Sequence, residues 1–380
     1  MNLRLSCLLL ALAPLLVGSG CQHGSPHFYP IGVYGVRSTN DLALLKQTGF
    51  NVVAGPARAD FLQAARAQGL RVLASPGTSA GSSFNAAAAR ATVGQFDRDS
   101  ALWAWYLIDE PDLNRVSPDE VRKAQAFIKS LRPHKPTALV LYQGSSALHY
   151  ANIADITMID RYPIPWLPLA NFGQHVRMTR LALGPKKPLI AVVQAFNWRY
   201  YPELLQTDRE LREPTYEEIR AMAYSALAQR ADGLFFYAYD DGKWRIRDHP
   251  STWEAVQKVV GEIHGRLPLF AAEHVWWPYQ HEYAELSSRF NEALESSISP
   301  ALLRVTQPNA AIPPGDYILT VNTTAKSHHY GVSLPQPVGP AETVPVLGEN
   351  RAVAVEEGWI EDQFEPYQVH VYGPLPPGKK

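Results

Sequence analysis

The stretch WAWYLIDEPD, residues 103–112, runs through aromatic and aliphatic residues and then breaks into two carboxylates and a proline. Such a composition predicts a buried β-strand. Burial penalises ionised carboxyl groups, so the position of Asp109 and Glu110 at the strand's end needs a physical reason. Either the strand surfaces there and the acids begin a solvated loop, or it opens into a pocket that uses a carboxyl group.

Further apolar, β-rich runs start near residues 31, 51, 71, 138, 155, 189 and 233, with amphipathic helical patterns between them. Most of these runs lack period-two alternation, as expected of parallel strands covered on both faces. Eight strands alternating with helices predict a closed (β/α)8 TIM barrel over residues 28–267. A doubly wound sheet is the rival fold, but the first run continues into GVRSTN, which lacks the glycine-rich phosphate fingerprint.

Beyond residue 267 the pattern changes. Residues 268–299 remain partly helical in pattern and predict a helical connection. From 300 to 374, prolines and glycines punctuate short alternating runs such as DYILTVNTT at 316–324. These features predict a small C-terminal antiparallel β-sandwich domain.

Residues 1–20 combine an early Arg, an apolar stretch from Leu8 to Val17 and a small-residue end. This pattern predicts a secretion signal, because the stretch is too short to span a bilayer. The following VGSGC resembles the bacterial lipoprotein box, although Gly18 stands where Leu is usual. The resemblance implies lipidation of Cys21, a membrane anchor and a place in the cell envelope; ordinary cleavage nearby is the alternative.

The overall composition excludes several functional classes. The 380-residue chain has 35 Lys and Arg against 36 Asp and Glu, so no strong positive field favours a nucleic-acid partner. It contains no P-loop, no Gly-x-Ser-x-Gly elbow and no metal ligands at zinc spacing. We therefore expect no metal, no cofactor and no nucleic acid.

Active sites of closed βα barrels lie where the strands end at their C-terminal face. Polar and aromatic residues end several of the predicted strands. The candidate site residues are the carboxylates Asp109, Glu110, Asp160 and Asp240, the amide Gln194, the cation Arg37, and the aromatic residues Tyr142, Tyr162, Trp198 and Tyr237. Their coincidence at one face predicts a functional cup, in which the aromatic rings either pack against sugars or simply fill the core.

These residues resemble the clan A glycoside hydrolases, whose fourth strand ends Asn-Glu-Pro with the Glu as general acid/base. Asp109 to Pro111 match with Asp in place of Asn, and MIDRYPI at 158–164 resembles the Asp-x-Tyr-Pro ending of related barrels. The C-terminal β-domain is similar to those that trail such barrels. The resemblance implies a carbohydrate substrate, cleavage of glycosidic bonds, and Glu110 as proton donor.

The chain departs from that family at strand seven, where clan A enzymes carry a nucleophilic Glu and this sequence has Gln194. An amide cannot form the glycosyl ester of a retaining mechanism. Three alternatives stay open. Asp160 or Asp240 acts as base or nucleophile; the substrate supplies its own nucleophile with Gln194 holding it; or the barrel binds glycans without cleaving them, as a glycan-binding or envelope polysaccharide assembly protein.

The chemistry of an acid suits Glu110. The apolar run before it and the neighbouring charge of Asp109 both raise the pKa of such a carboxyl group. Because adjacent strand residues point to opposite faces, we expect Asp109 to turn away from Glu110 and brace a neighbouring element. The structural alternative is that both acids pair with Arg37 or Arg161.

Overall fold

The computed structural model describes residues 28–77, 84–204, 210–283, 297–339 and 342–378. The predicted signal segment and Cys21 lie outside these residues, so the lipid anchor stays a prediction. Within the described ranges, no helix is both long enough and apolar enough to cross a bilayer.

Eight parallel strands close into a barrel in sequential order, with β1 pairing to both β2 and β8. The strands are β1 (Ile31–Val33), β2 (Val52–Ala54), β3 (Arg71–Ala74), β4 (Leu102–Ile108), β5 (Thr137–Leu141), β6 (Ile156–Asp160), β7 (Leu189–Gln194) and β8 (Gly233–Tyr237). The predicted TIM barrel is confirmed, and the run that contains WAWYLI is its fourth strand.

The helices of the barrel surround the strands. They are α1 (Leu42–Thr48), α2 (Ala59–Ala67), α3 (Ala86–Phe96), α4 (Pro118–Ser130), α5 (Ala147–Tyr150), α6 (Ala170–Leu183), α7 (Tyr216–Ala228) and α8 (Pro250–Gly265), and the short α9 (Leu267–Phe270) follows. Helix α4 begins at a capping box in which Ser117 and Glu120 satisfy each other's backbone N–H groups. Local sequence therefore defines where this helix starts.

Aromatic side chains fill the interior of the barrel. Phe235 of β8 stacks on Trp103 of β4 with ring centroids 6.0 Å apart, and Tyr34 meets the Phe235 ring edge-on at 5.4 Å. Gly32 of β1 faces the same ring, since a Cβ atom at this position would lie within 2.5 Å of three of its carbons. The glycine therefore leaves the space that the Phe235 ring occupies.

We expect Gly32→Ala to destabilise the protein by about 1–3 kcal/mol, because the new methyl group overpacks the barrel interior. The measurement is urea denaturation followed by circular dichroism. Gly94→Ala in α3 is the control: no atom lies within 4 Å of its Cβ position, so this substitution should stabilise the helix by about 0.5–1 kcal/mol. Equal stability of the two variants would contradict the packing described for Phe235.

The C-terminal domain is one nine-stranded antiparallel sheet in the order β10-β13-β16-β15-β14-β17-β12-β11-β9. Its strands are β9 (Glu273–Val275), β10 (His281–Tyr283), β11 (Ile298–Val305), β12 (Gly315–Asn322), β13 (His328–Ser333), β14 (Thr343–Val346), β15 (Arg351–Glu356), β16 (Trp359–Phe364) and β17 (Val369–Tyr372). The sheet curls over an apolar core that includes Ile318, Val344 and Ile360. The antiparallel β-domain is thus confirmed, and its two layers belong to one continuous sheet joined through β15.

The connection between the two domains differs from the helical segment expected over 268–299. Only Leu267–Phe270 is helical at its start, and β9 and β10 then join the edges of the C-terminal sheet. Residues 284–296 of this connection lie outside the described residues. Backbone pairing with β11 and β13 accounts for the two strands, because such long-range contacts override local helical preference.

Candidate active site

The ends of β4 and β6 bring two carboxyl groups together at the C-terminal mouth of the barrel. Glu110 follows β4, and its side chain is close enough to Asp160, the last residue of β6, for the charge of each carboxyl group to act on the other. Asp160 is only 6% exposed, and it accepts a hydrogen bond of 3.1 Å from the Tyr162 hydroxyl. The structure therefore brings together three of the residues predicted for the site.

Electrostatics keeps this carboxyl pair protonated. Burial, reinforced by the charge of Asp109, raises the pKa of Glu110 to about 8, although the hydrogen bond with Asp160 works in the opposite direction. Burial and the charges of Glu110 and Asp109 likewise raise the pKa of Asp160 well above its ordinary value. Two carboxyl groups in such contact cannot both ionise at little cost, so they hold at least one proton at neutral pH.

Asp109 does not turn away from Glu110 as strand alternation predicts. Its charge acts on both Glu110 and Asp160, and its carboxylate accepts a hydrogen bond from the Tyr106 hydroxyl. The physical reason is local: pairing with β5 shifts register between Tyr106 and Ile108, and Glu110 has a left-handed φ of 40°. The regular alternation of side-chain direction along β4 ends before the two acids, so both carboxyl groups can face the same pocket at the barrel mouth.

The basic residues proposed as structural partners are engaged elsewhere. Arg37 donates to the backbone carbonyl of Asp241, while Arg161 donates to Asn171 at 2.7 Å and lies 4.5 Å from the centre of the Tyr142 ring. Within the described ranges, no Lys, Arg or His forms an ion pair with Asp109 or Glu110. The alternative in which a barrel arginine neutralises these acids is therefore wrong.

An aromatic wall stands beside the carboxyl pair. The ring of Tyr162 lies 5.6 Å from that of Tyr237 and 6.3 Å from that of Trp198. Phe196 closes the cluster at 5.0 Å from both Tyr162 and Trp198. Tyr237 and Trp198 stay partly exposed, so their rings can pack on the C–H face of a sugar. By contrast, Tyr142 is covered on one side by the Arg161 guanidinium.

Gln194 has a structural task at the end of β7. The side chain is fully buried, accepts from the Ile164 amide at 2.9 Å, and donates to the carbonyls of Ile164 at 2.8 Å and Phe196 at 3.2 Å. These three bonds use both ends of the amide to fix the loop after β6. These bonds occupy the Gln194 amide, and its predicted contact with substrate stays a prediction.

The two aspartates that follow β8 have different partners, and the predicted catalytic role of Asp240 stays a prediction. Asp240, expected to be a catalytic carboxylate, pairs with Arg245 at 3.2 Å and accepts from the Gly242 amide. Asp241 instead accepts from the hydroxyls of Tyr237 at 2.7 Å and Tyr201 at 2.5 Å. Burial opposes ionisation of Asp241, but these hydrogen bonds outweigh it and lower its pKa.

Sequence reasoning missed several residues of this site. Tyr34 and Tyr106 interact with each other below the acids, and Asp241 and Tyr201 form the network beside Tyr237. Consecutive strand residues point to opposite faces, and this alternation at the end of β8 is the sequence feature that distinguishes Asp240 from Asp241. Tyr201 follows a short 3-10 helix after β7, and no strand pattern in the sequence indicates it.

Among the described residues, no group of three or more His, Cys, Asp or Glu side chains is arranged to hold a metal ion. The described groups at the mouth are carboxyl groups, phenolic hydroxyls and aromatic faces. A neutral carboxylic acid beside a second carboxyl group and exposed rings can donate a proton to an oxygen of a bound ligand.

Comparison with known proteins was made by sequence and by structure. No protein-family profile matches the chain, and no curated protein sequence matches it. Solved structures do match. A catalytic mutant of a family 42 β-galactosidase from G. stearothermophilus aligns with a TM-score of 0.58 at 10% identity, covering 91% of this chain and 98% of that one. The chain has the fold of barrel glycoside hydrolases.

Two further structures show the same likeness. A family 5 glycoside hydrolase from Bacteroides vulgatus aligns with a TM-score of 0.57 at 13% identity, over 91% of this chain and 89% of that one. An α-amylase from Geobacillus thermoleovorans, in complex with acarbose, aligns with a TM-score of 0.55 at 9% identity, over 90% of this chain and 97% of that one. At these identities the likeness concerns the fold alone.

Proposed function

We propose that the protein hydrolyses glycosidic bonds of an oligo- or polysaccharide, with Glu110 as the proton donor. The observation that carries this proposal is the position of Glu110 directly after β4 at the C-terminal mouth of the closed barrel, where burial and the charge of Asp109 raise its pKa to about 8. An acid with this pKa is mostly protonated at neutral pH and loses its proton readily in a transition state. The buried Asp160, on which the charge of Glu110 acts, and the aromatic wall support the same assignment.

In the proposed reaction, the Glu110 proton moves to the glycosidic oxygen as the bond from that oxygen to the anomeric carbon breaks. The positive charge that develops on the sugar ring is stabilised by the carboxylates of the cup. If water is the nucleophile, its oxygen bonds to the anomeric carbon and its proton passes to a carboxylate. If a substituent of the sugar is the nucleophile, it bonds to the anomeric carbon first, and water then breaks that bond by giving its hydroxyl group to the carbon and its proton to a carboxylate. Tyr237 and Trp198 supply the faces against which the ring packs.

Asp160 and Glu110 act on the same side of the bond in this proposal. Acid and nucleophile of a retaining glycosidase stand about 5–5.5 Å apart, and an inverting pair about 6.5–9.5 Å apart. The charges of the two carboxyl groups act on each other, so we assign Asp160 to tune the proton affinity of Glu110. The nucleophile is water or a substituent of the sugar itself; inversion of the product anomer would indicate water, and retention would indicate the substituent.

The second candidate function is glycan binding without cleavage, as in an envelope polysaccharide assembly lipoprotein. The buried Gln194 favours it, because strand seven offers no carboxylate to a retaining reaction. The two candidates share the aromatic wall and differ in what Glu110 does. A catalytic acid is needed only if a bond is broken.

The deciding experiment incubates the purified protein with a panel of soluble glycans and measures new reducing ends, with affinity electrophoresis on the same panel. The hydrolase releases reducing ends from at least one glycan, and NMR of the fresh product gives the anomer. Retarded migration without any new reducing ends would support the binding protein instead. Neither cleavage nor retardation across the panel would remove both candidates.

Asp109→Asn tests the electrostatic origin of the raised pKa. The charge of Asp109 raises the pKa of Glu110, so its removal lowers that pKa, while burial still keeps it above the ordinary value. We expect the alkaline limb of kcat/KM to move to lower pH by roughly one unit. Asp119→Asn, on the exposed start of α4, is the control and should leave the profile unchanged. An unmoved limb in Asp109→Asn would show that burial alone sets the pKa.

A further inference from the structure

A cavity of about 550 Å³ lies between helices α6 and α7 and the first long strand of the C-terminal sheet. Its wall includes Gly173 and Arg177 from α6, Ser225 from α7, and Tyr279 from the connection between β9 and β10. None of these residues belongs to the carboxyl pair or the aromatic wall at the barrel mouth. The volume is within the range of sites that hold small ligands in proteins.

One hydroxyl group on this wall has no partner. Ser225 is only 1% exposed, and its Oγ forms no hydrogen bond with any described residue. A buried hydroxyl left in this state costs free energy, so such groups in proteins normally meet a solvent or ligand atom. Gly173 leaves the space that the Ser225 Oγ occupies, because a Cβ atom at residue 173 would collide with this Oγ.

The described residues that line the cavity carry positive charge and no negative charge. Among the described residues that line the cavity, Arg177 is the sole charged one, and it forms no ion pair with any described residue. Gln174 and Gln229 contribute amide groups beside it. Tyr279 is 39% exposed, and the charge of Arg177 acts on its hydroxyl group, which places the guanidinium near this ring.

We propose that this cavity binds a carboxylate-bearing sugar of the uronic acid type. A guanidinium pairs with a planar carboxylate through two parallel hydrogen bonds, and a single cation matches a monoanion better than a phosphate dianion. Amide and hydroxyl groups suit the sugar hydroxyls, and the Tyr279 ring offers a face for its C–H bonds. The site is separate from the proposed catalytic one and stands whether or not the barrel cleaves glycans.

The test is isothermal titration of the full chain with methyl β-glucuronide, and with methyl β-glucoside as its matched neutral partner. We expect the glucuronide to bind with a Kd below about 10 mM and the glucoside to bind at least tenfold more weakly. Arg177→Gln should weaken glucuronide binding by roughly tenfold or more, because it removes a charge-assisted pair. Ser225→Ala should weaken it by a smaller factor.

Arg122→Gln, an exposed arginine on α4, is the control and should bind the glucuronide like the wild type. Because Arg177 is exposed, its replacement leaves the fold intact, which circular dichroism verifies. Three results would overturn the proposal: no binding of the glucuronide, equal binding of the two sugars, or unchanged glucuronide binding in Arg177→Gln. Unchanged binding in Arg177→Gln is also the result expected if the glucuronide binds only at the barrel mouth, so this variant distinguishes the two sites.

Discussion

Glu110→Gln is expected to reduce glycan cleavage by roughly 10²- to 10⁴-fold, which is the usual contribution of a general acid. The amide keeps the shape of the side chain and can still donate a hydrogen bond to Asp160, but it carries no transferable proton. Activity of the wild-type protein should fall as pH rises through about 8, where Glu110 ionises. The measurement is kcat/KM against pH for both proteins.

The same substitution should stabilise the fold at alkaline pH. Because the pKa of Glu110 is higher in the folded state than in the unfolded chain, stability is lost as pH rises from the unfolded pKa through about 8. A glutamine is neutral throughout, so the Tm of the variant should exceed that of the wild type by about 2–4 °C at pH 9, with little difference at pH 4.

Glu254→Gln, on the exposed face of α8, serves as the matched control. Its only ion pair is a solvent-exposed one with Lys258, and such pairs contribute little to stability. We expect neither the activity nor the Tm of this control to change. Full turnover in Glu110→Gln would remove this residue from the chemistry, and an unchanged Tm at pH 9 would contradict its raised pKa.

Gln194→Glu is expected to destabilise the protein by about 3–5 kcal/mol at pH 7, and to add no cleavage activity. The substitution buries a charge without a partner and removes the N–H donors that bind the carbonyls of Ile164 and Phe196. It also supplies the carboxylate that clan A enzymes carry on strand seven. Urea denaturation and the reducing-end assay measure the two effects.

The pH dependence of Gln194→Glu gives a further check. The introduced carboxyl group has a raised pKa in the buried position, so the loss of stability should diminish as pH falls and the group becomes neutral. Gln143→Glu, an exposed position just after β5, is the control and should change stability by less than about 0.5 kcal/mol. A gain of retaining hydrolysis in Gln194→Glu would show that this side chain does reach the substrate.

The barrel was predictable because its signal is repeated along the chain. Eight apolar runs at barrel spacing constrain the topology far more strongly than any single run, and short β-strands buried on both faces have few other solutions. The connection after the barrel carries no such repetition. Its strands β9 and β10 form by pairing with β11 and β13, which follow much later in the sequence. The local sequence pattern does not indicate these partners.

The sequence predicts which strand ends carry the site residues, but it does not predict how their side chains are oriented. The chain order indicates that Glu110 and Asp160 lie at the ends of β4 and β6, and in the structure the charge of Glu110 acts on the buried Asp160. The register shift in β4 and the left-handed φ of Glu110 are invisible to a period-two rule, which is why the orientation of Asp109 was missed. The tasks of Gln194 and Asp240 depend on loop backbone atoms that the sequence does not position.

The apolar interior of the barrel continues into the C-terminal sheet, where Leu303, Leu319 and Val371 belong to the same cluster as the helices. The sheet strands that carry these residues contact α7 directly. A different trailing domain would therefore need apolar residues that pack against α7. Without them, the apolar face of α7 would be exposed and would promote aggregation. Changes in α7 and in the strands that pack on it are therefore structurally coupled.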